Sequence, residues 1–221
     1  MKKTGIEISH YEGKIDGKKV SQDSQEIKFS AIKATEGATF QDSEFQHHFK
    51  ELRDNKIEAI PYHVFRMTST PEDQANNFIN TLSSVGFDSK DKFVISATTG
   101  ICAEGKTEKC DNPVAHTNEE RAKNLHSLIT ILKEKGYENV IIYCSPNHWD
   151  KYFTQEKLNF SEYHLWDAHW TTDKEPKVPK DWKDAEKSYD YWTYTPNGVV
   201  DGITIEPHSK EGVPMARMQW L

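Results

Sequence analysis

Carboxyl side chains stand at or near the ends of several strand-like runs of this sequence. Glu7 lies in TGIEIS, Glu36 ends IKFSAIKATE, Glu206 follows GITI, and Asp167 ends EYHLWD. Carboxyl groups that converge in a cleft can exchange protons with a substrate when their surroundings tune one to donate and another to accept. These four positions are therefore candidates for general acid–base chemistry.

One further strand-like run ends in hydroxyl groups instead. Residues 92–100 read KFVISATTG, in which a short apolar run is followed by Ser96, Ala97 and Thr98. A hydroxyl group donates and accepts hydrogen bonds, but its pKa is too high for it to act as an acid near neutral pH. Ser96 and Thr98 therefore indicate binding to polar groups rather than proton transfer.

The order of the predicted elements indicates how these side chains are positioned. Apolar runs predict strands near residues 4–9, 28–34, 57–65, 92–98, 139–144, 162–167, 190–195 and 201–206, and helices near 43–55, 71–85, 118–136 and 146–153. Strands separated by helices indicate a mostly parallel sheet. Eight of them predict an α/β fold, an irregular (β/α) barrel similar to a TIM barrel, in a single domain over residues 1–221. Functional residues of such barrels lie at the C-terminal strand ends.

Two of the helices carry clear end signals. Pro71 follows Thr70, which places proline at the first helical position. Thr117 or Asn118 can cap the helix that follows them, and Gly136 is suited to its C-terminus.

Composition and charge exclude several classes of partner. The chain has 221 residues, a mass of 25.5 kDa and a net charge of −7. Nucleic acids and anionic membranes attract clustered Lys and Arg, and no stretch approaches the roughly 18 apolar residues of a membrane span. We therefore expect no nucleic-acid or membrane partner, and a monomer.

The cysteines and histidines do not form a metal-binding pattern. Cys102 and Cys110 flank a polar loop and could pair in an oxidising compartment, whereas Cys144 ends an apolar run and is expected to be a buried thiol. No CxxC or HExxH spacing is present, so we expect no metal and no cofactor. No apolar signal region follows the N-terminal lysines. Localisation stays open between the cytoplasm, export without a cleaved signal, and a trimmed secreted or periplasmic form.

Six blocks of sequence, in a fixed order, carry a resemblance to a known family. They are GIEISHYEGKID, IKFSAIKATEGATFQDSEFQHHFK, IPYHVFR, IIYCSPNHW, LWDAHWTTDKEPKVPKDW and YDYWTYTPNGVVDGI, and they extend from about Gly5 to Glu206. They resemble the family 25 glycoside hydrolases, the Chalaropsis-type lysozymes or N-acetylmuramidases. The resemblance implies an irregular barrel that acts on the linkage between N-acetylmuramic acid and N-acetylglucosamine in peptidoglycan, with an acidic groove at the strand C-termini.

The sequence departs from this family where the acids are expected. The family ends its fourth strand in D-x-E, and this pair falls on Ser96-Ala97-Thr98. The Asp residues of the first and last strands fall on Glu7 and Glu206, and only Glu36 of KATEG is unchanged. Cleavage by a carboxyl pair needs one proton donor and a second stabilising group, and general acid catalysis contributes roughly 10²–10⁴-fold. Most of the rate is therefore expected to be lost.

The resemblance also suggests which side chains line a sugar groove. The strand ends present aromatic and polar side chains whose faces could stack on sugar rings, with core packing as the alternative. The candidate substrate-binding residues are Tyr62, His63, Tyr143, Trp166, Asp167, Trp192 and Tyr194.

Three functions remain open at the level of the sequence. The first is a lysozyme-like protein with little or no activity, a pseudoenzyme that binds peptidoglycan or a protein partner through the former groove. The second is an active muramidase with relocated carboxylates, drawn from Glu7, Glu36, Glu206 and Asp167. The third is an inhibitor or immunity protein that uses the lysozyme fold for interaction.

Overall fold

The computed structural model describes residues 2–98, 116–204 and 212–219. Within these ranges the strands are β1 (Lys3–Ile8), β2 (Ile27–Glu36), β3 (Phe40–Gln41), β4 (Glu58–Val64), β5 (Phe93–Ser96), β6 (Val140–Cys144), β7 (His164–Ala168), β8 (Tyr191–Gly198) and β9 (Val213–Met218). The α-helices are α1 (Gly17–Gln22), α2 (Phe45–Asp54), α3 (Pro71–Ser83), α4 (Asn118–Glu134), α5 (Pro146–Tyr152) and α6 (Lys180–Asp184), and a short 3₁₀ helix spans His10–Glu12.

Eight of these strands close into a barrel. The order around the wall is β1, β2, β4, β5, β6, β7, β8 and β9, and β9 pairs back with β1. Neighbouring strands from β1 to β8 run parallel, whereas β9 is antiparallel to both of its neighbours. Strand β3 forms a short hairpin with the end of β2. The predicted irregular barrel of about eight strands is confirmed.

Alternate residues of each strand point into the barrel, because side chains on a strand alternate between its two faces. Trp166 stacks on Tyr191 with ring centroids 4.7 Å apart, and Phe29 packs edge-on against both rings. These aromatic residues fill the lower barrel, where the parallel strands begin. The interior cluster consists of Phe29, Ala31, Ile60, Val94, Ile141, Trp166, Tyr191, Ala216 and Met218.

The opposite strand faces pack against the helices. Helix α3 begins after Thr70, whose side chain accepts a hydrogen bond from the backbone N–H of Asp73, and α4 begins with a capping box between Thr117 and Glu120. Gly136 follows α4 with φ of 89°, as the glycine signal predicts. Among the described residues, no helix combines the length and apolarity that a membrane crossing requires.

The eighth barrel strand lies in a different part of the chain from the predicted one. Residues 201–204 form no strand, and the backbone N–H of Asp16 donates to the carbonyl of Gly202 at 2.9 Å, which ties this turn to the start of α1. Residues 205 and 206 lie outside the described ranges. Strand β9 supplies the last pairing instead, and Pro214 within VPMARM weakens its strand signal.

The short elements β3, α1 and α6 are absent from the sequence prediction. Each has six residues or fewer, which is too short for a clear periodic pattern. Cys144 is fully buried, as predicted, and has no disulfide partner within the described residues, whereas Cys102 and Cys110 lie outside them.

Gly5 provides a test of interior packing. A Cβ atom at this position would overlap the ring of Phe29 across the β1–β2 pair. We expect Gly5→Ala to lower the free energy of unfolding by about 1–3 kcal/mol, because an overpacked interior forces side chains from their preferred positions. Chemical denaturation measures this change.

The control for this prediction is Ser24→Ala in an exposed turn, which should change stability by less than about 0.5 kcal/mol. Phe29→Leu added to Gly5→Ala should restore part of the loss, because a smaller side chain makes room for the methyl group. Unchanged stability of Gly5→Ala would contradict the packing described for β1 and β2.

Candidate functional site

A cavity of about 180 Å³ opens at the C-terminal end of the barrel. Its walls are the inward-facing residues near the ends of five neighbouring parallel strands, which is where barrels of this type present functional groups. The lining residues are Glu7, Ala31, Tyr62, Val64, Val94, Ser96, Thr98 and Tyr143. The polar lining residues are two tyrosines, one serine, one threonine and one glutamate.

Glu7 is the carboxyl residue that lines this cavity within the described part of the chain. Its side chain accepts hydrogen bonds from the hydroxyl groups of Thr193 and Tyr143. Thr193 in turn accepts a hydrogen bond from the indole N–H of Trp166 at 2.8 Å, so the interior aromatic cluster helps to position Glu7. Burial raises the pKa of Glu7 to about 7, although the two hydroxyl hydrogen bonds act in the opposite direction.

Ser96 is the last residue of β5 and Thr98 follows two residues later, and both line the cavity. Their hydroxyl oxygens are 2.7 Å apart and form a hydrogen bond with each other. Because neither group ionises near neutral pH, the cavity wall formed by this strand end is polar and uncharged.

Glu36 does not line the cavity, because its carboxylate is held in ion pairs at the barrel rim. The Nζ atom of Lys33 lies 2.6 Å from one carboxylate oxygen, and the Nε atom of Arg66 lies 2.9 Å from the other. Burial alone would raise the pKa of Glu36, but the hydrogen bonds from Lys33 and Arg66 lower it below its usual value. A carboxylate held in this way stays ionised at neutral pH and is a poor proton donor.

The predicted substrate-binding residues lie on both faces of the barrel wall, some in the interior and others toward the helices. Tyr62 and Tyr143 line the cavity, and Trp166 lies below it in the packed interior. His63 faces the helices, where it bonds to Thr35 at 2.7 Å. Adjacent residues of a strand point to opposite sides of the barrel wall, so Tyr62 and His63 cannot both face the cavity.

Trp192 and Tyr194 also lie away from the cavity. The indole N–H of Trp192 donates to the backbone carbonyl of His169 at 2.7 Å, within the outer apolar layer. The ring of Tyr194 packs against the guanidinium group of Arg217, 4.3 Å from the ring centroid. Glu206 lies outside the described residues, and its predicted role stays a prediction.

Asp167 is buried in the outer layer, next to Trp166 but on the opposite face of β7. It stands opposite Cys144 in the pairing of β6 with β7, and neither of its carboxyl oxygens has a hydrogen-bond partner among the residues that the structure describes. Burial raises its pKa to about 8. Asp167 is therefore placed away from the cavity, and its burial favours the protonated form of the carboxyl group at neutral pH.

Additional acidic residues lie close to the cavity and were not among the sequence candidates. The Nδ1 atom of His10 lies 2.7 Å from a carboxylate oxygen of the buried Asp42, and Glu12 accepts a hydrogen bond from the backbone N–H of Ser9 at 2.6 Å. Burial raises the pKa of Tyr62 strongly, and negative charges at Glu7, Glu12, Asp42 and Glu36 raise it further. The sequence blocks that resemble the family already contained both acidic residues, Glu12 in the first block and Asp42 in the second.

Exposed aromatic side chains follow β1 and β2 on the same end of the barrel. Tyr11 is 72% exposed and Phe40 is 40% exposed, and the ring of His10 lies between them with centroid distances of 4.1 Å and 5.8 Å. Trp170, after β7, is 58% exposed. Aromatic faces of this kind suit stacking against sugar rings.

The fold and the cavity together define a closed barrel protein with a polar cavity at the C-terminal ends of its parallel strands. The sequence profile of glycosyl hydrolases family 25 matches residues 6–203. The chain belongs to this family.

Individual relatives agree with this assignment. The chain is 25% identical over 202 residues to an autolytic lysozyme of Clostridium acetobutylicum, covering 90% of this chain but only 52% of that relative. Its fold is similar to that of a bacterial lysozyme from Streptomyces coelicolor, with a TM-score of 0.75, 20% identity, and coverage of 99% and 92% of the two chains. It is also similar to the modular autolysin LytC from Streptococcus pneumoniae in complex with a synthetic peptidoglycan ligand, with a TM-score of 0.73, 18% identity, and coverage of 99% and 47%.

The unpartnered carboxyl of Asp167 predicts a pH-dependent loss of stability. Its pKa is higher in the folded protein than in the unfolded chain, so the folded state retains a proton that the unfolded state has released. Stability therefore falls as pH rises from about 4 to 8. We expect Asp167→Val to be more stable than the unchanged protein, by an amount that grows by about 1 kcal/mol per pH unit in this range.

Urea denaturation at several pH values measures this difference. Asp167→Asn is the matched control, because it removes the ionisable group while keeping the size of the side chain, and it should lose the same pH dependence. Parallel stability curves for the unchanged protein and both variants would contradict the burial described for Asp167.

Proposed function

We propose that this protein binds peptidoglycan glycan through the cavity at the C-terminal end of the barrel, with little or no hydrolysis. The observation that carries the proposal is the lining of the cavity, in which Glu7 is the one carboxyl group among the described residues. Ser96 and Thr98, onto which the sequence resemblance places the acid pair of the family, contribute two hydroxyl groups.

Hydrolysis by two carboxyl groups requires both of them to face the glycosidic bond. The two groups stand about 5–5.5 Å apart in retaining enzymes and about 6.5–9.5 Å apart in inverting ones. Glu36 is unsuited to join Glu7 in such a pair, because Lys33 and Arg66 hold its carboxylate at the rim. Asp167 is also unsuited, since its side chain lies on the outer face of the barrel wall.

The cavity and its surroundings keep features that suit a glycan. Tyr62, Tyr143, Ser96 and Thr98 offer hydroxyl groups for hydrogen bonds to a sugar. A volume of about 180 Å³ is below that of pockets which enclose a drug-sized ligand. The cavity therefore receives only part of a glycan chain, and the rest would lie against the exposed aromatic residues of the same barrel end.

The family membership supports the same ligand class. The structural relative LytC is described with a synthetic peptidoglycan ligand. Because structural likeness at 18% identity shows the fold alone, a peptidoglycan ligand for this protein is proposed from its family and from its polar cavity.

Slow hydrolysis is a second candidate function, and the pKa of Glu7 favours it. A carboxyl group with a pKa of about 7 carries its proton at mildly acidic pH and is able to donate it to a leaving oxygen. The substrate itself or water would then have to supply the second half of the chemistry.

Digestion of purified peptidoglycan separates the two candidates. We expect no muropeptide release by the unchanged protein between about pH 4 and 8, because the acid pair is absent. Ser96→Asp with Thr98→Glu should release products with new reducing ends, detected by mass spectrometry. The control is Ser96→Asn with Thr98→Gln, which has similar size but no acid and should stay inactive.

Each outcome of this digestion has a distinct meaning. Products from the unchanged protein, abolished by Glu7→Gln, would replace the first candidate with the second. Absence of both digestion and peptidoglycan binding would overturn the proposal and favour an interaction protein on a lysozyme fold.

The pH dependence of glycan binding tests whether the glycan binds over the cavity that contains Glu7. A ligand over the cavity would exclude water from Glu7 and oppose its ionisation, so binding should weaken by about threefold to tenfold between pH 6 and 8. Titration calorimetry with soluble muropeptides measures the affinity. Glu7→Gln should bind with less than about a twofold change over the same range. Retention of the full dependence in that variant would place the ligand elsewhere.

A further inference from the structure

A second and larger cavity lies at the opposite end of the barrel, where the parallel strands begin. Its volume is about 650 Å³. We call it the basal groove, and it is lined by Lys3, Lys28, Arg53, Lys56, Ile57, Glu58, Ala59, Lys90, Asp91, Lys92, Asn139 and His164. None of these residues belongs to the cavity proposed to bind glycan.

The basal groove carries positive charge on a chain that is acidic as a whole. Six Lys or Arg side chains line it against two carboxylates, while the chain has 35 acidic residues and 28 basic ones. A concave surface lined by charges of one sign concentrates the electrostatic potential and attracts ions of opposite charge. The positive charge is therefore concentrated at this end of the barrel.

Both carboxylates of the basal groove already have cationic partners. Asp91 lies 3.1 Å from an Nη atom of Arg53, and Glu58 lies 3.3 Å from Nζ of Lys92. Lys28, Lys56 and Lys90 are exposed, and their ammonium groups make no ion pair with any residue that the structure describes. These three groups are the ones available to an anionic ligand.

The fold brings these lysines together from distant parts of the chain. Lys28 lies at the start of β2, Lys56 follows α2 in a turn with φ of 62°, and Lys90 precedes β5. Parallel strands begin at one end of a barrel, so residues that are far apart in sequence reach one rim.

A smaller cavity of about 290 Å³ continues the basal groove toward β7 and β8, and it shares Lys3, Glu58, Lys92 and His164 with it. His164 bonds to Asp190 at 2.9 Å, and this hydrogen bond raises the pKa of the imidazole. Mildly acidic conditions therefore add positive charge along the continuation of the basal groove.

We propose that the basal groove binds a flexible polymer that carries repeated phosphate groups and no bases, such as a polyol phosphate chain. Ammonium groups of lysine act as compact point charges that bind phosphate without a fixed geometry. Several of them along an extended groove suit several anions linked in one chain, because each further contact is made within the same complex.

The groove does not have the features that nucleic acids or membranes would use. The described lining of the larger cavity contains no Phe, Tyr or Trp side chain, whereas single strands of nucleic acid are held by stacking of bases on such rings. The described lining has no exposed large apolar residue of the kind that would enter a lipid surface. Phosphate groups without bases therefore fit the lining best.

Binding of poly(glycerol phosphate) and of inorganic polyphosphate to the full chain tests the proposal. Fluorescence anisotropy at low salt and about pH 6.5 gives the affinity for each labelled probe, and the two probes separate a polyol phosphate from phosphate alone. The test variant is Lys28→Gln with Lys56→Gln and Lys90→Gln. The matched control is Lys18→Gln with Lys123→Gln and Lys174→Gln, which removes the same charge from exposed positions outside the basal groove.

We expect the test variant to lose at least about tenfold in affinity and to show a shallower salt dependence, by about two to three units of slope, because fewer counterions are released on binding. The control variant should change by less than about twofold. Circular dichroism checks that both variants stay folded, and muropeptide binding at the other end of the barrel should be unaffected.

Three outcomes would overturn the proposal. Equal losses in both variants would show that net charge alone attracts the polymer. Tighter binding of single-stranded DNA than of either phosphate polymer would assign the groove to nucleic acid. Lack of binding by the unchanged protein at low salt would leave the basal groove without this ligand. None of these results would affect the proposed glycan site.

Discussion

The structure depends on the hydrogen-bonded closure of the barrel around β1, which pairs with β2 on one side and with β9 on the other. In a closed barrel, the side chain of each strand residue points either into the interior or outward toward the helices. Ile6 and Ile8 therefore join the outer core, while Gly5 and Glu7 face inward. The enclosure of Glu7 follows from this closure, as do its raised pKa and its need for hydroxyl partners.

The barrel interior changes in character along its axis. Large aromatic side chains pack together where the strands begin, and smaller side chains such as Ala31 and Ser96 leave space where they end. The inward-facing side chains of the same strands thus fill the interior at the N-terminal end of the barrel and leave a polar cavity at the C-terminal end. Ser96 and Thr98 make this part of the cavity wall polar without a charge, and their hydroxyl groups satisfy each other by a hydrogen bond.

Charge is distributed unevenly between the two barrel ends. Carboxyl groups gather around Tyr62 at the C-terminal end, and their negative charges add to the effect of burial in raising its pKa. Lysines gather around the basal groove at the other end. The net charge of −7 conceals this separation, because it sums over both ends. Conclusions from net charge alone therefore apply to the chain as a whole and not to either end.

Local features of the sequence determined the barrel strands β1, β2 and β4 to β8 in outline, the caps at Thr70 and Thr117, and the hydroxyl groups at Ser96 and Thr98. These depend on periodicity and on neighbours within a few residues. Only the tertiary structure decided that β9 closes the barrel, that Arg66 holds Glu36, and that Asp167 faces away from the cavity. Each of these depends on contacts between residues far apart in sequence, which local propensity does not encode.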